Sequence, residues 1–185
     1  MHLSVAEYLE AERRAETKSE YLDGEVFAMS GASFRHNVIG ANLIGELRQQ
    51  LKGRQCIVAP GDLRVHIPAT GLYTYPDVVA ICGEPRFEDQ ELDTLLNPTL
   101  IIEILSPTTE AYDRGKKFEH YGTIESLAEY VLVFQDRPRI EQYVRQEGGS
   151  WLLTATMGLD SRMILASVGC ELALAEVYDK VPLGD

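Results

Sequence analysis

Asn97-Pro98-Thr99-Leu100-Ile101-Ile102-Glu103-Ile104-Leu105-Ser106-Pro107 is the stretch on which the fold of this chain turns. Asn-Pro opens it and Ser-Pro closes it, and both are turn signals. Between them lies a short run that is apolar at odd and even positions alike, apart from one glutamate. Such a run reads as a strand covered on both faces. Upstream, Pro76-Asp77-Val78-Val79-Ala80-Ile81-Cys82 has the same character. Its proline is tolerated because it stands at the strand start. Two central strands embedded among helical patterns predict a mixed α/β fold.

Moving outward, Ser4-Val5-Ala6-Glu7 fits a capping box and predicts a helix over about 4–16. Tyr21-Leu22-Asp23-Gly24-Glu25-Val26-Phe27 carries the Asp-Gly signal of a two-residue hairpin. Ser33 is placed to cap a second helix over 34–52, with Ile39, Leu43, Leu47 and Leu51 as its apolar stripe and Gly53 just past its end. Strands are expected at 56–59 and 63–67, around the Pro60-Gly61 turn. The acidic segment 83–93 reads as a solvated excursion. A helix is expected over 109–122, then strands at 130–134 and 140–144, a turn at Gly148-Gly149 and a strand from Trp151. A strand near 163–167 and a short helical segment near 172–178 complete the chain. No repeat or linker is visible, so a single domain spanning 1–185 is expected.

The chain has 185 residues, with 45% apolar and 25% charged, which are ordinary globular values. No apolar run is long enough for a membrane helix, so no membrane partner is expected. Met1-His2-Leu3-Ser4 lacks the basic start of a signal peptide. Cys56, Cys82 and Cys170 are odd in number, form no CxxC, and read as small buried residues of a cytoplasmic protein. The formal net charge of −12 argues against a general nucleic-acid coat, which needs a basic face. It leaves room for a small site at which metal ions supply positive charge.

Glu103 and Asp77 are acids in apolar surroundings. An unpaired buried carboxylate is costly, so each must neutralise or find a cation. Strands close in sequence tend to lie close in space. Two carboxylates at neighbouring strand ends form an oxygen site for a hard cation. The alternative is that each acid pairs with an Arg or Lys.

These residues resemble a known family. Pro76-Asp77, the apolar strand, and Glu103 in its own strand are similar to the PD-(D/E)XK nuclease superfamily, and more closely to a large family of bacterial restriction-endonuclease-like proteins. The resemblance also rests on Tyr21–Glu25, Arg35-His36-Asn37, Asp113–Tyr121 and Glu129–Val133. It implies a mixed central sheet of about five strands flanked by helices, with extra antiparallel hairpins. It implies a Mg²⁺-dependent endonuclease acting on DNA, with Mn²⁺ as a substitute. Asp77, Glu103 and the Ile104 carbonyl would be the metal ligands. The lysine expected two positions after the glutamate is replaced by Leu105, so the resemblance moves it to the next helix as Lys117, with Lys116 as runner-up. Glu25 would be a third acid and His36 a proton carrier or phosphate contact, since an imidazole takes either charge state near neutral pH. Arg114, Lys116, Lys117, Arg137, Arg139 and Arg145 would form a local positive wall, and a homodimer would pair two such walls. Leu105 keeps two alternatives open. One is a silent nuclease-fold module that binds nucleic acid or a protein. The other is an interaction domain in which Glu103 is salt-bridged to Lys117.

Overall fold

The computed structural model describes residues 2–183. Its elements follow in the order α1 (Val5–Glu12), β1 (Ser19–Leu22), β2 (Glu25–Ala28), α2 (Phe34–Leu51), β3 (Cys56–Pro60), β4 (Arg64–Ile67), β5 (Leu72–Thr74), β6 (Val78–Cys82), β7 (Thr94–Leu95) and β8 (Leu100–Leu105). There follow α3 (Glu110–Tyr112), a π-helical turn (Asp113–Lys117), α4 (Phe118–Gly122), β9 (Glu129–Phe134), β10 (Arg139–Arg145), β11 (Trp151–Met157), β12 (Arg162–Leu165), β13 (Cys170–Ala173) and α5 (Leu174–Val177).

The central sheet has six strands in the order β11-β10-β9-β8-β6-β3. Only β8 and β9 run parallel; the other pairs are antiparallel. The fold is therefore the mixed α/β arrangement that the resemblance implies, with a central sheet one strand wider. A second sheet, β2-β1-β5-β4-β7, packs on one face of it, and β12 and β13 form a hairpin.

Strand alternation sends side chains to two faces. Val78, Ala80, Leu100, Ile102, Ile104, Val131 and Val133 pack with the α2 stripe of Ile39, Leu43, Leu47 and Leu51. Val79, Ile81, Ile101, Leu105, Tyr130 and Leu132 pack with Val65, Ile67 and Leu72 of the second sheet and with Tyr121 of α4. Glu103 belongs by parity to this second face. The α2 helix begins where the Ser33 hydroxyl accepts the His36 N–H, at 3.1 Å. At α1 the capping box of Ser4 and Glu7 is complete.

Several expectations need correction. Helix α1 stops at Glu12, because the Glu12 carboxylate turns to accept the Ser19 N–H at 2.8 Å and the chain reverses. Strands β5 and β7 went unread, being too short to show a period. The expected helical segment 172–178 starts as strand: β13 pairs with β12 before α5 begins. The acidic excursion is tied down rather than loose, with Arg13 bonding Asp89 at 2.6 Å and Asp93 at 2.8 Å. Cys56 and Cys82 are not separate thiols. They sit opposite each other on β3 and β6 and form a disulfide, leaving Cys170 free and buried. Antiparallel register, invisible in a spacing of 26, brings them together.

Candidate active site

The antiparallel register of β6 on β8 pairs Val78 with Ile102. One step further along the same register, Asp77 meets Glu103. The Asp77 N–H reaches Glu103 Oε2 at 3.3 Å, and the Ile104 N–H donates to Asp77 Oδ2 at 2.7 Å. A strand residue projects its N–H and C=O to the same side, so the Ile104 carbonyl also lies on the side of Asp77. His36, in the first turn of α2, places Nε2 3.1 Å from Asp77 Oδ2.

The opposite side of Glu103 is filled by the helix that follows β8. Lys117 Nζ lies 2.9 Å from Glu103 Oε1, and the Tyr121 hydroxyl donates to the same oxygen at 2.8 Å. Lys117 is also 3.4 Å from Glu20 Oε1 and 3.7 Å from Asp113 Oδ1. Asp113, Lys117 and Tyr121 are each four residues apart and all are buried. The backbone beneath the first two is a π-helical turn, a feature that recurs at functional sites. Lys116 is exposed.

Glu20 enters from β1 of the second sheet. It accepts hydrogen bonds from the Thr74 and Tyr112 hydroxyls. Glu25 does not enter: it stands exposed beside the hairpin turn, paired in register with Leu22. The third acid of the cluster is thus Glu20, and Asp113 is a fourth. Asp113 was legible from its spacing with Lys117 and Tyr121. Glu20 had no signal of its own: it faces away from Tyr21, which packs on Tyr8 and Tyr73, but Glu25 shares that face.

The electrostatics follow from burial. Glu103 is 3% exposed. Desolvation pushes its carboxyl up, to about 8; the Lys117 ammonium opposes this, while Asp77 and Asp113 reinforce it. Asp113 is raised in the same way, mainly by burial. Burial alone would lower Lys117, but Glu103, Glu20 and Asp113 outweigh it and hold the ammonium charged. Tyr121 is raised by burial and by Glu103, so it stays a neutral donor.

Above this cluster lies an open groove of about 1620 Å³. Small-molecule sites run to roughly 300–1,000 Å³, so the groove has room for a polymer segment. The positive wall is only partly realised. Arg114, Arg137 and Arg139 gather round the Phe134 ring at 5.2, 4.4 and 5.2 Å. They are paired with Glu110, Asp136 and Glu141. Arg145 is elsewhere, stacked on Trp151.

Among the described residues no group of three or more His, Cys, Asp or Glu side chains is arranged to hold a metal ion. The donor set on offer is two adjacent carboxylates. Mg²⁺ is held by one or two carboxylates, with waters and substrate phosphates filling its shell, rather than by an all-protein cage. Asp77 and Glu103 meet that requirement.

Comparison with known proteins agrees with this architecture. The family model Uma2, described as "Putative restriction endonuclease", matches residues 5–175. The chain is similar to the uncharacterized protein sll1609 of Synechocystis sp., with 40% identity over 156 residues, 84% of this chain and 88% of that protein. It is also similar to the uncharacterized protein slr1290 of the same organism, with 38% identity over 176 residues, 95% of this chain and 91% of that protein. A crystal structure of a putative nuclease belonging to DUF820, from Anabaena variabilis, shares its fold. The TM-score is 0.75 at 19% identity, over 95% of this chain and 97% of that one.

Proposed function

The chain belongs to the Uma2 restriction-endonuclease family, and on that premise we propose that it is a divalent-cation-dependent endonuclease hydrolysing phosphodiester bonds in DNA. One observation carries the reading: Asp77 and Glu103 lie side by side at adjacent strand ends, with Lys117 from the next helix 2.9 Å from Glu103. The lysine missing at Leu105 has a functional equivalent on the same sheet face.

Asp77, Glu103 and the Ile104 carbonyl would hold Mg²⁺. When bound, the cation supplies an acidified water and neutralises phosphate charge. The chain's own residues supply the rest. The Ile104 N–H and His36 fix the Asp77 carboxylate from two directions. Tyr121 and Lys117 fix one oxygen of Glu103 and leave Oε2 toward Asp77. The Lys117 ammonium stabilises charge that develops on the phosphate, a preorganised electrostatic aid. His36 contacts the phosphate or carries a proton to the leaving oxygen. Water adds to phosphorus as the bond to the 3′-oxygen breaks, leaving a 5′-phosphate and a 3′-hydroxyl.

The test is cleavage of supercoiled, linear and single-stranded DNA with Mg²⁺ or Mn²⁺. Wild type is expected to cleave, Asp77→Asn and Glu103→Gln to lose at least ~10²-fold in rate, and Lys117→Ala to be reduced. A Glu103→Gln protein as fast as wild type would sink the assignment. The Lys117–Glu103 ion pair also favours a second reading, a nuclease-fold binding module without turnover. Calorimetric Mg²⁺ binding with no cleavage of any substrate would select it. Absence of both would leave a plain interaction domain.

A further inference from the structure

The groove walls are poor in free positive charge and carry exposed aromatic rings. Phe34 is 71% exposed and Phe27 48% exposed, and both line the groove that holds Asp77 and Glu103. Phe27 pairs in register with Glu20 on β1, so it shares a sheet face with the carboxylate that lies 3.4 Å from Lys117 Nζ. Phe34 opens α2 and lines the same groove. The rings therefore border the groove from two different elements, β2 and α2.

The cations of the groove are Lys18, Arg35 and Lys117, and carboxylates outnumber them. Lys117 is held by Glu103, Glu20 and Asp113 at the reaction centre and is not free to grip the strand along the groove. Lys18 is committed to Asp62 and to the Gly61 carbonyl. Arg35 alone of the three makes no carboxylate pair among the described residues. Duplex DNA is held chiefly through phosphates, by many Lys and Arg contacts. This groove cannot supply them. A single strand offers what a duplex hides, the faces of its bases, and aromatic side chains bind those faces without sequence preference.

We propose that the groove takes a single-stranded or unpaired nucleic-acid segment, whose bases stack on Phe34 and Phe27 while its backbone crosses the acid pair. This rests on the nuclease reading above and names its substrate class. Stacking supplies the grip that charge does not, so binding depends on the rings more than on salt.

The experiment is fluorescence anisotropy of a labelled thymidine oligonucleotide and of a labelled duplex of equal length. Ca²⁺ is present to neutralise the acids, and wild type is compared with Phe34→Ala, Phe27→Ala and Phe34→Trp. Both rings are exposed, so the alanine variants should fold, and thermal unfolding checks this. The single strand is expected to bind at least ~10-fold tighter than the duplex. Each alanine variant should lose about 5- to 150-fold for the single strand, the range of one stacked base. Phe34→Trp should retain affinity. The salt slope should be shallow, about −0.7 for each of one or two phosphates. Duplex binding equal to single-strand binding, or alanine variants as tight as wild type, overturns this inference and leaves the nuclease reading intact. No binding and no cleavage of either nucleic acid overturns both.

Discussion

Asp89 and Asp93 meet Arg13 and Arg64 where α1 approaches the second sheet, while Glu20, Asp77, Glu103 and Asp113 crowd round Lys117 and His36 in the groove. In the first cluster each carboxylate has a guanidinium, with contacts of 2.6–3.0 Å. Arg64 is 3% exposed and also donates to Thr94 and Tyr75, at 2.9 Å each. The charges balance, and the Arg13 guanidinium holds Asp93 well below the usual carboxylate range. In the groove the acids are in excess, and Glu103 is raised instead. Balanced charge fastens a segment to the fold. Unbalanced charge in a groove leaves a place for a cation from outside, which is the physical basis for expecting function there.

The largest effect expected from breaking this contrast is on stability. Lys117→Met leaves buried carboxylates with no ammonium, and urea unfolding at pH 7 should show a loss of roughly 3–5 kcal/mol.

Next in size is the effect on rate. Glu103→Gln keeps the Tyr121 and Lys117 contacts but removes the charge. Cleavage should fall at least ~10²-fold while unfolding changes little. The opposite pattern, full activity with lost stability, would make this cluster structural like the first.

On the balanced side, Arg64→Met should cost about 2 kcal/mol, because buried hydrogen bonds to charged groups are lost while Asp93 keeps Arg13. Cleavage should be unaltered.

The smallest effect is the sign of the pH response. Asp93 is depressed when folded, so its contribution is present above the unfolded carboxylate pKa near 4 and is lost as pH falls below it. Glu103 is raised when folded, so it takes up a proton on folding and its stability contribution falls as pH rises from about 4 to about 8. Asp93→Asn should flatten the acid limb of a stability–pH profile, and Glu103→Gln the neutral limb.

Much of this is legible in the sequence. The α2 stripe, the Ser4 and Ser33 caps and the Asp23-Gly24 turn depend on neighbours within a few residues. The two acids stood out because an apolar strand has no local reason to hold a carboxylate. Glu20, by contrast, was passed over for Glu25. Register puts both on one face of the same hairpin, and only the docking of that hairpin against the helix that carries Lys117 decides which acid is buried. The Cys56–Cys82 disulfide was missed because strand register joins residues that sequence spacing keeps apart.

The sequence alone determined most of the helices and strands and the acid at each central strand, because these rest on periodicity and local chemistry; the shift of a lysine to the following helix came from the family resemblance. Tertiary structure alone decided that Lys117 meets Glu103, that Glu20 and Asp113 join them, and that two phenylalanines stay bare beside the groove. Those outcomes come from the pairing of β6 with β8, the π-helical turn and the placement of the second sheet. They are non-local, and burial energies that no single segment contains set them.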